Sequence, residues 1–206
     1  MTFLDAPRLA GTVEVTSGNL IVVAVGWNDV GGTVAVTDTL GHAWIALPRH
    51  DITDPTPCSP LPPGRGTDGQ LWYAFASQTG TTTIEVQQAP SSNSLQFYVL
   101  EYGGVREGPP VTAGQSASAA SNAMTAGPLS TSPLDLVVAM FANSNGAGTI
   151  LPDPGWTERG IDPLFYSIVV DNLPGTAERE VTPTAKLPVG VSDACWVATA
   201  AAFHVR

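Results

Sequence analysis

The chain has 206 residues, 43% of them hydrophobic and only 13% charged, enough apolar material for a sizeable core and too much for a disordered chain. Its formal net charge is -10, and a single lysine, Lys186, stands beside seven arginines, so no basic stripe is available to neutralise phosphates, and no nucleic-acid or membrane partner is expected. Glycine and proline number 21 and 18, which disfavours helices and supplies turns, so an all-β fold with little or no helix is expected.

Strand signals follow at short spacing with turn residues between them, the pattern of a sandwich or barrel. A first half, residues 9–105, reads as strands over 9–15, 19–27, 33–38, 43–47, 70–77, 82–87 and 95–102. A second half, residues 111–206, reads as strands over 111–119, 123–129, 135–142, 157–161, 164–171, 177–183 and 194–204. The stretches Thr33 to Thr37 and Thr82 to Val86 alternate polar and apolar, so each has one wet face and one dry face. Asp38-Thr39-Leu40-Gly41 fits a tight turn in which the glycine takes a positive φ, and Asn28 to Gly32 fits a longer hairpin connection.

The order of strand signals in the first half returns in the second, with Trp44 matched by Trp156 and Trp72-Tyr73 by Phe165-Tyr166. Self-similarity of this kind reads as one domain over 1–206, made of two pseudo-repeated halves that share a core. Four strand segments, Leu20 to Val25, Phe97 to Leu100, Leu136 to Phe141 and Trp196 to Phe203, are apolar on both faces. A strand in a two-layer sandwich has one core-facing side. Two covers are open for the other side: the Ala/Ser/Gly-rich connection from Gly103 to Leu129, or another protein chain.

The segment 47–69 carries prolines at 48, 55, 57, 60, 62 and 63 and is longer than ordinary connections, so it is expected to form a stiff surface feature that touches a partner. His50, Asp51, Asp54 and Cys58 within it are the candidate assembly residues. Met1 to Asp5 lacks the basic and apolar regions of an export signal, so secretion is not expected, and no run reaches the roughly 20 apolar residues that span a bilayer. The two cysteines, Cys58 and Cys195, leave two readings open, a single bridge or a buried Cys195 acting as a small hydrophobe.

Little in the chain points to catalysis. His42 follows a turn glycine, His50 sits in the proline-rich segment and His204 lies near the C-terminus, and no Gly-x-Ser-x-Gly, Cys-x-x-Cys or His-x-x-x-His spacing accompanies them. The chain is therefore read as a non-enzyme without cofactor or metal. His50-Asp51-Ile52-Thr53-Asp54 is the strongest polar cluster and falls short of a metal-site pattern. Glu101, at the end of an apolar strand, reads as a turn cap or ion-pair partner. Flat aromatic faces stack on sugar rings, and matched aromatic positions are needed for the core. Trp27 alone escapes that demand, so Trp27 with Asn28 and Asp29 is the candidate ligand-binding group.

Four strings carry a resemblance: Ser17 to Val25, Val36 to Gly41, Leu71 to Ala74 and Val99 to Val105. With the closing apolar strand from Trp196 to Phe203, they resemble the jelly-roll-like antiparallel β-sandwich domains of bacterial secreted proteins and phage virion proteins. The resemblance covers nearly the whole chain, and the family has no shared catalytic residues to carry over. It implies a head decoration protein, head fibre or minor tail component, partnered by shell or tail proteins or by itself and located in the virion. The alternative it implies is an extracellular carbohydrate-binding module that holds a host-surface glycan. The proline-rich insertion after Trp44 departs from the family pattern.

Overall fold

A computed structural model describes residues 8–27, 32–53, 66–89, 95–117, 121–143, 149–162, 167–172, 179–187 and 196–206. Every regular element among them is a strand: β1 Arg8–Val15, β2 Leu20–Trp27, β3 Thr33–Asp38, β4 Ile45–Ala46, β5 His50–Thr53, β6 Gly66–Phe75, β7 Gly80–Ala89, β8 Leu95–Tyr102, β9 Val111–Ala117, β10 Ala123–Thr125, β11 Leu129–Thr131, β12 Leu136–Asn143, β13 Leu151–Pro152, β14 Thr157–Asp162, β15 Ser167–Asn172, β16 Arg179–Val181, β17 Thr184–Lys186 and β18 Trp196–Phe203. All strand pairings among the described residues are antiparallel. Two five-stranded sheets run in the orders β14-β15-β12-β18-β9 and β4-β6-β2-β8, the latter extended by β5 on β6. Around them lie β1-β7-β3, β10-β17-β13 and β11-β16.

Three apolar cores separate these sheets and explain the strands that lack alternation. Ile21, Val23, Val25 and Trp27 of β2 pack with Val34, Val36, Ile84 and Val86 of the β1-β7-β3 sheet. Leu20, Val22 and Ala24, on the other face of β2, pack with Leu136, Val138 and Met140 of β12. The second face of β12, Val137, Ala139 and Phe141, packs with Met124, Leu129, Val181 and Ala185 of the small outer sheets. The protein is thus four sheet layers thick, and its two five-stranded sheets form the middle. Each fully buried Val, Leu or Ile contributes about 1.5–3 kcal/mol relative to exposure, so β2 and β12 gain on both faces.

This arrangement bears in part on the two covers left open for the two-sided strands. Residues 123–129 of the long connection do cover one face of β12, through Met124, Ala126 and Leu129. The remaining face of β12 packs on the other half of the same chain, while Phe97 to Leu100 of β8 are half-buried.

Glycines set the distance between the two middle sheets. An added Cβ at Gly69 of β6 would lie 2.9 Å from Met140 Cε, one at Gly160 of β14 would lie 2.6 Å from Tyr98 Cδ1, and one at Gly114 of β9 would overlap the His50 ring. Side chains of one sheet therefore sit directly on the backbone of the other; at Gly114 and Gly160 the neighbour is a ring that leaves no room for a Cβ, while at Gly69 it is the flexible end of Met140. The Tyr98 ring is held in place because its hydroxyl lies 2.6 Å from Ser167 Oγ. Gly160→Ala is expected to cost about 1–3 kcal/mol through overpacking. Denaturant unfolding checks this; an unchanged midpoint would mean that the sheets are not in close register there.

Most strands lie where the sequence placed them, with β3 and β8 matching to the residue. The expected strand over 123–129 is two short strands, β10 and β11, in different sheets. Three short strands, β5, β13 and β17, carry no clear sequence pattern. β5 also revises the proline-rich segment: His50–Thr53 is not loop but pairs with Gly66–Gly69, opposite His50↔Gly69 and Thr53↔Gly66. Asp54 and Cys58 of that segment lie outside the described residues, as do Cys195 and hence any Cys58 to Cys195 bridge.

Candidate functional site

The strands β2 and β12 start at the same end of the molecule, because Leu20 lies opposite Tyr102, Leu136 lies opposite Phe203, and Val105 bridges to Val205. Two chain segments meet there in a short ladder: Arg106 N–H donates to His204 O at 2.7 Å, and Arg206 N–H donates to Gly104 O at 2.8 Å. Gly104 takes φ 74°, which lets the segment after β8 turn into this pairing. Hollows lie beside the ladder. One, of about 300 Å³, is lined by Arg106, Glu107, Gly108, Pro109, Phe203 and His204. The other, of about 160 Å³, is lined by the polar residues Tyr102, Arg159 and Asp171 and by the apolar residues Val105, Leu136 and Val205.

Buried carboxylates organise both hollows. Asp135 is 2% exposed; its Oδ2 accepts the Ser132 N–H at 2.7 Å and its Oδ1 lies 2.8 Å from His204 Nδ1, which fixes the imidazole plane. Asp171 is 3% exposed, and its Oδ2 accepts both the Tyr102 hydroxyl at 2.8 Å and Arg159 Nε–H at 2.7 Å. Burial, then the Asp171 carboxylate, holds the Tyr102 phenol well above its ordinary range, so Tyr102 remains a donor. The hydrogen bond to Asp171 raises the Arg159 pKa further and keeps the guanidinium charged. Three of the seven arginines, Arg106, Arg159 and Arg206, thus gather at one end of an acidic chain. A hydrogen-bonded Asp–His pair can serve as a base, and among the described residues the lining of the His204 hollow is Arg106, Glu107, Gly108, Pro109 and Phe203, without a hydroxyl or thiol.

The residues singled out in the sequence sit elsewhere. Trp27 is only 2% exposed, inside the core beneath β1-β7-β3, with the Arg49 guanidinium 5.4 Å above its ring. The expected exposed platform is therefore corrected: apolar packing and the cation over its face take the ring that a sugar would need. Arg49 is itself held by Asp68 at 2.5 Å and donates to Gly32 O at 2.6 Å. Asn28 and Asp29 lie outside the described residues.

His50 packs on Gly114 of the neighbouring sheet, and burial pulls its pKa below the ordinary value against the opposing pull of Asp51. His50 is thus a packing residue between the two middle sheets, and Asp51 is exposed beside it. Among the described residues no three His, Cys, Asp or Glu side chains gather in a metal-binding group. Glu101 holds the β1–β2 turn, accepting the Thr16 N–H at 2.7 Å and Asn19 Nδ2–H at 2.8 Å. Trp44 and Trp156, paired in the sequence reading, each pack partly buried against a core.

The sequence reading missed Arg159, Asp171, Tyr102 and Asp135. Their one local signal is an acidic residue at the edge of an apolar strand, as in Val169-Val170-Asp171 and Leu134-Asp135-Leu136. Comparison of the chain with protein-family models, with curated proteins and with solved structures finds no match.

Proposed function

We propose that this protein is a non-enzymatic structural and binding component of a phage particle, a head decoration, head fibre or minor tail protein, assembled in the host cytoplasm and released with the virion. The observation that carries the reading is the fusion of two sheet pairs into a block filled by three apolar cores. Such a block resists deformation, because close-packed layers transmit load without yielding. Its acidic net charge of -10 favours solubility before assembly, and the resemblance of its strand strings to virion β-sandwiches points the same way.

Contact with shell or tail proteins then falls to the ends of the block, since β2 and β12 are consumed within the chain. The glycan-binding alternative rested on the sandwich fold and on Trp27, and that ring lies beneath the surface. Light scattering at two concentrations and immunodetection in density-banded particles from lysed producer cells test the reading together. A monomer in solution that is found in fixed ratio in the banded particles is the expected result. Its absence from the particles would overturn the proposal.

A further inference from the structure

The smaller hollow holds a cation whose donors are only partly used. Arg159 spends Nε on Asp171, and its two terminal NH2 groups have no partner among the described residues. The guanidinium is nevertheless tied at one point, because Asp171 is buried and the Oδ2 that accepts Arg159 Nε–H also accepts the Tyr102 hydroxyl. The Arg159 side chain is 49% exposed, so an incoming group can reach that free edge. Val105, Leu136 and Val205 line the same hollow, whose volume is about 160 Å³. At roughly 30 Å³ for each water-sized group, that is room for about five such groups.

The geometry points to this hollow as a binding site for a carboxylate carried on a short branched aliphatic group. The free edge of Arg159 offers two parallel N–H donors, the fork that pairs with a carboxylate in bidentate fashion. The alkyl part replaces water against Val105, Leu136 and Val205. A phosphate would bring more charge than one guanidinium compensates, in a hollow whose lining also includes Val105, Leu136 and Val205. The Tyr102 proton directed at Asp171 offsets the carboxylate behind Arg159, which keeps the site receptive to a second anion. Two sources share this chemistry, the C-terminal residue of a partner polypeptide and a free aliphatic acid.

Titration with three probes separates them: isovalerate, an acetylated Ala-Leu dipeptide with a free carboxylate, and the same dipeptide amidated. The readout is the Arg159 Nε–Hε resonance together with calorimetric affinity on the full chain. Both acids are expected to shift the resonance saturably, with the amide at least tenfold weaker. A dipeptide acid at least tenfold tighter than isovalerate assigns the site to a chain terminus, and comparable affinities assign it to a free acid. Arg159→Lys keeps the charge and removes the fork, and should weaken the acids at least tenfold. Val205→Phe fills the hollow without touching Arg159 and should do the same, with near-ultraviolet circular dichroism confirming that both variants fold. No saturable shift with either acid, an equal response to the amide, or unchanged binding in a folded Arg159→Lys variant would overturn the site. None of these outcomes depends on whether the protein belongs to a virion.

Discussion

Replacing Asp38 by Ala should lower stability by about 3–5 kcal/mol and the thermal midpoint by roughly 10 °C. Asp38 ends β3, and its two carboxylate oxygens collect the bonds of the following turn. Oδ1 accepts the Leu40 N–H at 2.8 Å and the Thr82 hydroxyl at 2.9 Å, while Oδ2 accepts Trp44 Nε1–H at 2.6 Å and the His42 N–H at 3.1 Å. The His42 ring nitrogen Nδ1 lies 3.0 Å from Oδ1. Alanine strands all of these donors in a part-buried site, and each unpaired buried donor costs about 1–3 kcal/mol before relaxation.

The pH dependence has a definite sign. Burial pushes the Asp38 carboxyl up, but the bonds from Trp44, Thr82 and Leu40 and the nearby His42 outweigh it, so its folded pKa lies below the ordinary value. A carboxyl of that kind stabilises the fold above its unfolded pKa, near 4, and loses the contribution as pH falls through its lower folded value. The stability gap between wild type and Asp38→Ala should therefore be full at neutral pH and narrow below about pH 4. Denaturant unfolding of both proteins across the acid range checks it; a gap that widens on acidification would refute the role of the ionised carboxylate.

Phe203→Ala should cost about 3–5 kcal/mol and do so in one cooperative transition. Phe203 is 2% exposed and ends β18, and its ring meets Tyr73 of the other middle sheet edge-on with centroids 5.6 Å apart. Its removal opens a cavity in the core that joins the two sheet pairs. If the four layers fold as one unit, calorimetry shows a single, lower transition whose van't Hoff and calorimetric enthalpies agree. Two resolved transitions would mean that the sheet pairs fold independently and touch only after folding.

Where a strand has one wet face, its sequence speaks directly. Thr33 to Asp38 alternates exposed and buried as the structure does, because each polar side chain keeps its water and each valine loses it. β2 and β12 show the limit of that reasoning: burial on both faces is legible in Leu20 to Val25 and Leu136 to Phe141, but the covering element is not, since apolar contact is non-directional. Trp27 misled for the same reason. Its neighbours in sequence suggest a strand end near solvent, and its neighbours in space are Val34, Leu95 and the Arg49 guanidinium. β5 escaped because its partner, Gly66–Gly69, brings glycines to the ladder, where no alternation marks a strand.

Composition and period alone determined that this chain is an all-β protein of acidic net charge with strands apolar on both faces, because these follow from local sterics and from counting charged and apolar side chains. Only the tertiary structure decided that the halves cover each other, that Gly69, Gly114 and Gly160 seat side chains from the opposite sheet, and that Tyr102, Arg159 and Asp171 meet at one hollow. Tyr102 and Asp171 stand 69 residues apart. No local rule links them, since their meeting depends on the docking of two sheets, and that docking is set by the summed shape of many side chains rather than by any one of them.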